Sequence, residues 1–250
     1  MAKLTSQKIH LLLIILIPFI MVKNGLSQEY PSYDKIPVTD GNVEIHFIGH
    51  GSLMFKVNGY VIHIDPVKSS GNYNFLPKAD LILVTHEHYD HLDVGLINEL
   101  KKDSTLVFTN EKSLKQIGWA NSMKAGDRQE VNGIVIEAVP AYNIVNMRAP
   151  GQPFHPKGSG LGYILTIGGR RFYVAGDTEN IPEMKELKDI EVAFLPMNLP
   201  YTMTPAMVAD AAKAFKPLIL YPYHYGDTDT QEIINLLKGT GIEVRIRNLK

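Results

Sequence analysis

An apolar strand that ends in a crowded group of histidines and acids constrains this chain more than any other feature. Residues 81–84 are apolar at every position, as expected for a strand that is buried on both faces of a sheet. Three histidines and one aspartate follow within six residues, namely His86, His88, Asp90 and His91. Buried imidazoles and carboxylates need partners, so these side chains belong to a loop at the end of the strand. A divalent cation would use all of them, whereas an ordinary polar loop gains nothing from such crowding.

The spacing within this loop predicts two metal ions. His86 and His88 are two residues apart and point the same way where the backbone is extended. Asp90 and His91 are adjacent, so they cannot share that direction and reach a second point. We therefore interpret the loop as the source of ligands for a pair of cations.

The composition limits the chemistry of such a site. The chain of 250 residues contains no cysteine, which excludes thiolate ligands, disulfides and cysteine nucleophiles. A site built from histidine and carboxylate suits zinc, manganese or iron. The formal net charge is -1 and no basic run is present, so we expect a small-molecule substrate and no nucleic acid. The length indicates one sizeable globular domain, or at most two.

Residues 1–28 have the pattern of a secretory signal peptide. Basic residues precede an apolar run at 11–22, which is shorter than the roughly 20 residues of a membrane-spanning helix. Small residues follow at Gly25 and Ser27, so we predict cleavage near Ser27 or Gln28 and export, in a bacterium to the periplasm. No stable membrane association is expected after cleavage, and a retained membrane anchor is the alternative. Residues 29–40 are predicted to be a lead-in without regular structure.

The rest of the chain, residues 41–250, is predicted to form one domain that contains an internal repeat. Asn58-Gly59 and Gly168-Gly169 mark two β-hairpins. The second strand of each hairpin leads to an acid, Asp65 in the first half and Asp177 in the second. We interpret this repeat as a duplication that places both acids on the same edge of a two-sheet sandwich.

The predicted elements follow from apolar runs, turn residues and helix caps. Asp93, Thr204 and Thr228 are predicted helix caps, the last in a capping box with Gln231. The predicted strands are 43–48, 53–57, 60–65, 81–84, 106–109, 134–139, 161–167, 171–175, 192–196, 218–221 and 244–246, and the predicted helices are 94–101, 111–117, 205–215 and 229–238.

The order His86-x-His88-x-Asp90-His91 after an apolar strand resembles the metal-binding motif of the metallo-β-lactamase-fold hydrolases. The end of the motif, Asp90-His91-Leu92-Asp93, is similar to that of the branch that includes ascorbate-6-phosphate lactonase and uncharacterised metal-dependent hydrolases. The resemblance implies an α/β (α+β) fold, the four-layer αββα sandwich. It also implies that Asp177 bridges two metal ions and that His224 is the last ligand.

One position departs from the family pattern. The family usually has a third histidine at the strand near residue 142, where this chain has Ala141-Tyr142-Asn143. Three explanations are open: His155 supplies the ligand, Asn143 or a water completes the shell, or that metal ion binds weakly. We favour His155, which lies in the long segment 143–160, because such connections are uncommon unless they have a function. We predict that this segment forms a lid.

Further residues have predicted roles beside the metal ions. Asp65, Asp90 and His50 are the candidate catalytic residues. Asp65 would accept the remaining N–H of a ligand histidine, and Asp90 would be both ligand and proton acceptor. His50 reaches the same edge, with a packed structural histidine as the alternative. Lys157 and Arg148 are the candidate cations for an anionic group of the substrate.

These features predict a hydrolase with two zinc ions, with Mn2+ or Fe2+ as the alternative metals. A water held between the ions would have its pKa lowered from about 15.7 towards about 7, which gives hydroxide at neutral pH. The predicted substrate is a lactone, ester, amide or phosphodiester. Two other hypotheses are a redox di-iron or manganese protein and a metal-binding protein with little catalysis.

Overall fold

The structure is a computed structural model that describes residues 31–250. The predicted signal peptide, residues 1–28, lies outside the described residues. Within residues 31–250, no helix combines the length and the apolar character needed to cross a membrane.

The first half of the chain forms a seven-stranded sheet. Its strands are β1 (Tyr33–Val38), β2 (Gly41–Gly49), β3 (Ser52–Val57), β4 (Tyr60–Ile64), β5 (Ala79–Leu83), β6 (Lys101–Thr109) and β7 (Asn121–Ser122). They lie side by side in the order of the chain. β1 to β4 pair antiparallel, and β5 to β7 extend the sheet in parallel from β4.

The second half forms another seven-stranded sheet and a small two-stranded one. Its strands are β8 (Arg128–Val131), β9 (Ile134–Ala141), β10 (Met147–Ala149), β11 (Gln152–Pro153), β12 (Gly160–Ile167), β13 (Arg170–Val174), β14 (Ile190–Pro196), β15 (Ile219–Tyr223) and β16 (Glu243–Val244). β10 pairs only with β11, and the other seven run in the order β16-β15-β14-β13-β12-β9-β8. We call the β10–β11 unit the flap hairpin.

Helices cover the outer face of each sheet. The helices are α1 (Val94–Leu100), α2 (Glu111–Ile117), α3 (Pro182–Lys185), α4 (Pro205–Phe215) and α5 (Thr230–Leu237). One buried apolar core lies between the two sheets, a second joins α1 and α2 to the first sheet, and a third joins the other helices to the second sheet. These four layers are the αββα sandwich that the sequence predicts.

Strand β5 illustrates why the apolar runs fold as they do. Leu81 and Leu83 belong to the core between the sheets, whereas Ile82 belongs to the core beneath α1. Side chains alternate across a strand, so a strand covered on both faces has no position left for a polar residue. The prediction that residues 81–84 are buried on both faces is therefore confirmed.

The internal repeat is visible in the strand order. In each sheet, four antiparallel strands end in a hairpin, β3–β4 or β12–β13, and three parallel strands follow. Asp65 and Asp177 come after the last strands of these hairpins. Both acids approach the same imidazole, because Asp65 Oδ2 lies 2.8 Å from His91 Nδ1 and Asp177 Oδ1 lies 3.3 Å from His91 Nε2. The two acids therefore lie on one edge of the sandwich.

Two predictions about local structure were wrong. Residues 33–38, predicted to lack regular structure, form β1, which lies before the predicted domain start at residue 41 and pairs with β2. The last helix is capped by Asp229, whose side chain accepts from the N–H of Gln231, and not by Thr228. Asp93 and Thr204 cap their helices as predicted.

Short elements were also missing from the prediction. β6 begins five residues earlier than the predicted start at 106. The segment predicted as an irregular lid contains the flap hairpin. The other missing elements are α3, β7 and β8.

Gly176 lets the chain leave β13 and present Asp177. Its φ of +66° is a left-handed conformation, and a Cβ at this position would lie 2.5 Å from the carbonyl oxygen of Leu161. Both facts exclude a side chain here, so the approach of β12 to this turn depends on glycine.

Gly176→Ala is expected to lower the free energy of unfolding by about 3 kcal/mol. The added methyl group would clash with the carbonyl oxygen of Leu161, and alanine would have to adopt an unfavourable positive φ. Gly133 is the matched control, since its φ is +73° and no atom lies within 4 Å of its Cβ position. Gly133→Ala should cost only about 1–2 kcal/mol. Urea unfolding followed by circular dichroism measures both, and equal losses would contradict the argument.

Candidate metal centre

The histidine-rich loop between β5 and α1 turns back on itself. The backbone N–H groups of His91 and Leu92 donate to the carbonyl oxygen of His88, at 3.0 and 2.9 Å. This turn follows His86 and His88 and carries Asp90 and His91. The loop contributes to two separate groups of potential ligands, and a third group, His86, His91 and Asp177, connects them.

The first ligand group consists of His86, His88 and His155. Nε2 of His86 and Nε2 of His155 lie 3.1 and 3.2 Å from Nδ1 of His88. Nitrogen ligands of a tetrahedral zinc ion, each about 2.0–2.1 Å from the metal, lie about 3.3–3.4 Å apart. Three imidazole nitrogens thus converge at a spacing close to that of zinc ligands.

His155 reaches this group from the end of the flap hairpin. The side-chain oxygen of Asn143 accepts from the backbone N–H of His155 at 2.8 Å and lies 2.7 Å from its Nδ1. This contact places the ring proton on Nδ1 and leaves the Nε2 lone pair facing His88. Of the three explanations for the missing histidine, the geometry favours His155 as the ligand. Asn143 then orients the ring of His155 and does not itself bind the metal ion.

Buried Glu179 holds the segment that contains Asn143. Its carboxylate accepts from the backbone N–H groups of Ile144, Val145 and Asn146 at 2.8, 2.8 and 2.6 Å, and from Nδ2 of Asn143 at 3.1 Å. Sequence reasoning missed this residue. Its only signal was an acid directly after the Gly-Asp-Thr element, because the backbone groups that it binds cannot be read from residue types.

The second ligand group consists of His50, Asp90, His91 and His224. Asp90 Oδ2 lies 3.2 Å from His50 Nε2 and 3.6 Å from His224 Nε2. The rings of His50 and His224 are 3.9 Å apart between centroids. His50 follows β2 and His224 follows β15, so this group joins the two sheets.

The carboxylate of Asp177 lies between the two ligand groups. Its Oδ2 is 3.3 Å from Nε2 of His155 and 3.5 Å from Nε2 of His224, and its Oδ1 is 3.3 Å from Nε2 of His91. His86 Nε2 is also near, at 3.9 Å. This position suits a carboxylate that is shared by two cations.

Asp65 orients one ligand from behind. Its Oδ2 lies 2.8 Å from Nδ1 of His91, and its oxygens accept from the backbone N–H and hydroxyl of Thr85, each at 2.7 Å. The Nδ1–H of His91 therefore donates to Asp65, and its Nε2 atom faces Asp177. Asp65 has the geometry predicted for it, that of a residue that fixes a histidine tautomer.

The electrostatics of the centre favour the metal-binding protonation states of His86, His88 and Asp177. Burial lowers the pKa of His86 well below its usual value, with a further contribution from His91, and burial and His155 lower the pKa of His88. Burial opposes ionisation of Asp177, but His224 and His91 hold the pKa of this carboxyl well below its usual range. Neutral imidazoles and ionised carboxylates are the forms that bind divalent cations. At His91, burial is outweighed by Asp177 and Asp65, which raise the pKa of this imidazole well above its usual value.

Several buried atoms at the centre make no hydrogen bond to any described residue. They include His91 Nε2, Asp177 Oδ1 and both ring nitrogens of His224. Buried polar atoms are normally hydrogen-bonded, because an unsatisfied one costs about 1–3 kcal/mol. Nitrogen and oxygen donors that converge without partners fit divalent metal ions, and in the described part of the chain these residues would hold them.

A cleft of about 590 Å³ opens above the two ligand groups. Arg148, one of the predicted substrate-binding cations, lines it and lies 5.5 Å from the ring centroid of Phe154. Tyr89, Asn198 and Tyr201 also line the cleft and were not singled out from the sequence.

Lys157, the other predicted cation, does not line this cleft. Its Nζ lies 2.8 Å from Glu183 Oε1 and 3.2 Å from the hydroxyl of Tyr142. The partner acid belongs to α3, an element that the sequence did not predict. The predicted role of Lys157 in binding substrate is therefore corrected to that of a surface ion pair.

The turn that carries His50 lies against a ligand. A Cβ on Gly51 would lie 2.7 Å from Cε1 of His91. The backbone of the Gly49-His50-Gly51 turn thus approaches the imidazole of His91 closely.

Comparison with known proteins now becomes informative. Residues 44–224 match the family model described as a β-lactamase superfamily domain. A UPF0173 metal-dependent hydrolase from Methanopyrus kandleri is 31% identical over 225 residues, which cover 82% of this chain and 95% of that protein. The crystal structure of a protein assigned as a metal-dependent hydrolase from Parabacteroides distasonis is 49% identical, with a TM-score of 0.85, and the match covers 88% of this chain and 100% of that one.

A more distant likeness shows the fold alone. CmlA, a diiron β-hydroxylase from Streptomyces venezuelae, is 17% identical with a TM-score of 0.64, and the match covers 86% of this chain and 54% of that one. The match to the family model and the identity of the nearer relatives decide the assignment. The chain belongs to the metallo-β-lactamase superfamily and is a metal-dependent hydrolase of the UPF0173 kind.

Proposed function

We propose that the chain uses two zinc ions to hydrolyse a small molecule that contains a lactone, ester, amide or phosphodiester bond. The observation that carries this proposal is the position of Asp177, whose two oxygens face both ligand groups. A single cation would not explain why eight donor side chains converge from two sheets. The absence of cysteine favours zinc, manganese or iron held by nitrogen and oxygen.

Some residues of the site would bind the metal ions, and others would accept and transfer a proton. Bound zinc would lower the pKa of water to near neutrality and polarise an oxygen of the substrate. Asp90 Oδ2 lies next to both His50 and His224 and borders the cleft, so it is placed to accept a proton from attacking water. His50 is hydrogen-bonded to Asp90 and about a quarter of its side chain is exposed, which gives the proton a path to solvent.

A redox di-iron protein is the second candidate, and the diiron chemistry named for CmlA is what raises it. That likeness concerns the fold, while the nearer relatives are named hydrolases. The identity of the bound metal separates the two candidates.

Protein purified without chelator is expected to contain two equivalents of zinc. Asp177→Ala should lower the metal content by at least one equivalent and zinc-dependent turnover by more than about a hundredfold, since the shared ligand is lost. Mass spectrometry of the metals and a panel of lactones, esters and phosphodiesters measure both.

Asp210→Ala is the control, because this exposed acid pairs with Lys185 and Asn180 and belongs neither to a ligand group nor to the lining of the cleft. It should leave metal content and turnover unchanged. One equivalent of metal in the wild type would sink the dinuclear proposal, and iron with an optical absorption band would favour the redox candidate.

Asn143→Leu is expected to weaken binding at the first ligand group by about 10- to 100-fold, because His155 loses the acceptor that orients its ring. Competition with a chromophoric chelator resolves the two zinc affinities. Asn146→Leu is the matched control, since this amide lies on the same segment but donates to the carbonyl of Thr202. Equal effects of the two substitutions would remove the orienting role from Asn143.

We further propose that the protein is exported, with the signal peptide at residues 1–28 removed. N-terminal sequencing of protein from the native host should begin next to Ser27. Detection of the intact Met1 terminus in the mature protein would contradict this and favour a retained anchor.

A further inference from the structure

Part of the lining of the cleft is aromatic. Phe154 and Tyr201 meet edge to face, with ring centroids 5.1 Å apart, and both line the cleft. Tyr89 lines it as well, and 86% of this side chain is exposed. A tyrosine this exposed gains nothing from packing, so it is available to contact a bound molecule.

Exposed apolar side chains are frequent on the chain segments that contribute to the lining of this cleft. Six of the twelve large hydrophobic residues that are exposed in the described part of the chain lie on three segments that reach it. These six are Tyr89, Ile144, Val145, Met147, Leu199 and Tyr201. Concentration of exposed apolar surface at one place marks a binding site more often than chance exposure does.

Arg148 supplies the positive charge in this mostly apolar part of the cleft. It is the sole lysine or arginine among the residues that line the cleft. Its guanidinium packs over the ring of Phe154, and it makes no hydrogen bond or ion pair with any described residue. Lys157, on the same segment, is by contrast paired with Glu183. Arg148 therefore has its hydrogen-bond donors free for a ligand.

We propose that the cleft selects small molecules with a flat apolar body, which packs against Phe154 and Tyr201, and one oxyanion group, which binds Arg148. This substrate class rests on the proposed hydrolysis at the metal centre. Water would add across the scissile bond to give an acid and an alcohol or amine, while the oxyanion group itself stays unchanged. The planar fork of the guanidinium suits a carboxylate or a phosphate.

The size and charge of the cleft limit the occupant to a small molecule. Its volume of about 590 Å³ falls within the range of small-molecule sites. One cation among aromatic side chains does not match a polyanion, which needs several positive charges along its length. An aromatic compound with a single oxyanion group satisfies both conditions.

Binding of product analogues tests this inference without requiring turnover. Calorimetry on the zinc-loaded protein would compare para-hydroxybenzoate and para-hydroxyphenyl phosphate with the uncharged para-hydroxybenzamide. We expect about tenfold tighter binding of one of the two anions than of the amide, and loss of this preference in Arg148→Gln. The anion that binds with the higher affinity identifies whether the group is a carboxylate or a phosphate.

Lys157→Gln is the matched control and should keep the preference, because this lysine lies outside the cleft. Phe154→Leu should abolish the preference for the aromatic acid over its cyclohexane counterpart. Equal affinity for anion and amide, no detectable binding of either, or a preference that survives Arg148→Gln would overturn the inference. Anion selection by Arg148 in a protein that hydrolyses no lactone, ester, amide or phosphodiester carrying such a group would instead refute the proposed function alone.

Discussion

Convergence of buried imidazoles on the Asp177 carboxylate is the interaction on which the rest of the site depends. His91, His155 and His224 approach its oxygens at 3.3–3.5 Å in surroundings that exclude water. Such a cluster is costly to bury without added positive charge, because several of its atoms lack hydrogen-bond partners. Divalent cations supply that charge, so the metal ions are part of what makes this edge of the fold stable.

The two sheets meet at this edge because each contributes strand ends to it. The loop after β5 comes from the first sheet, whereas Asp177 and His224 follow strands of the second. Metal binding therefore stabilises the contact between the halves in addition to serving catalysis. Asp65 and Asp177, equivalent in the internal repeat, have diverged: one orients a histidine and the other faces both groups of ligands.

The sequence predicted the parts of the structure that depend on local pattern. Apolar runs located the long strands, and the spacing of His86 to His91 indicated two groups of ligands. The flap hairpin, by contrast, depends on hydrogen bonds from residues 144–146 to Glu179, which no residue pattern reveals. Arg148 and Lys157 looked equivalent because the distant acid that pairs with Lys157 lies on an unpredicted helix. Thr228 and Asp229 are both good helix caps, so sequence alone could not decide between neighbours.

The flap hairpin is held at both ends, by Glu179 before β10 and by His155 after β11. Its tip, at Pro150-Gly151, lies outside these anchors, and Gly151 has no atom within 4 Å of its Cβ position. Neither residue of that tip belongs to a ligand group or to the lining of the cleft. For protein engineering, Pro150-Gly151 is thus the point at which new peptide can be grafted to widen or narrow the entrance while the ligand geometry is preserved.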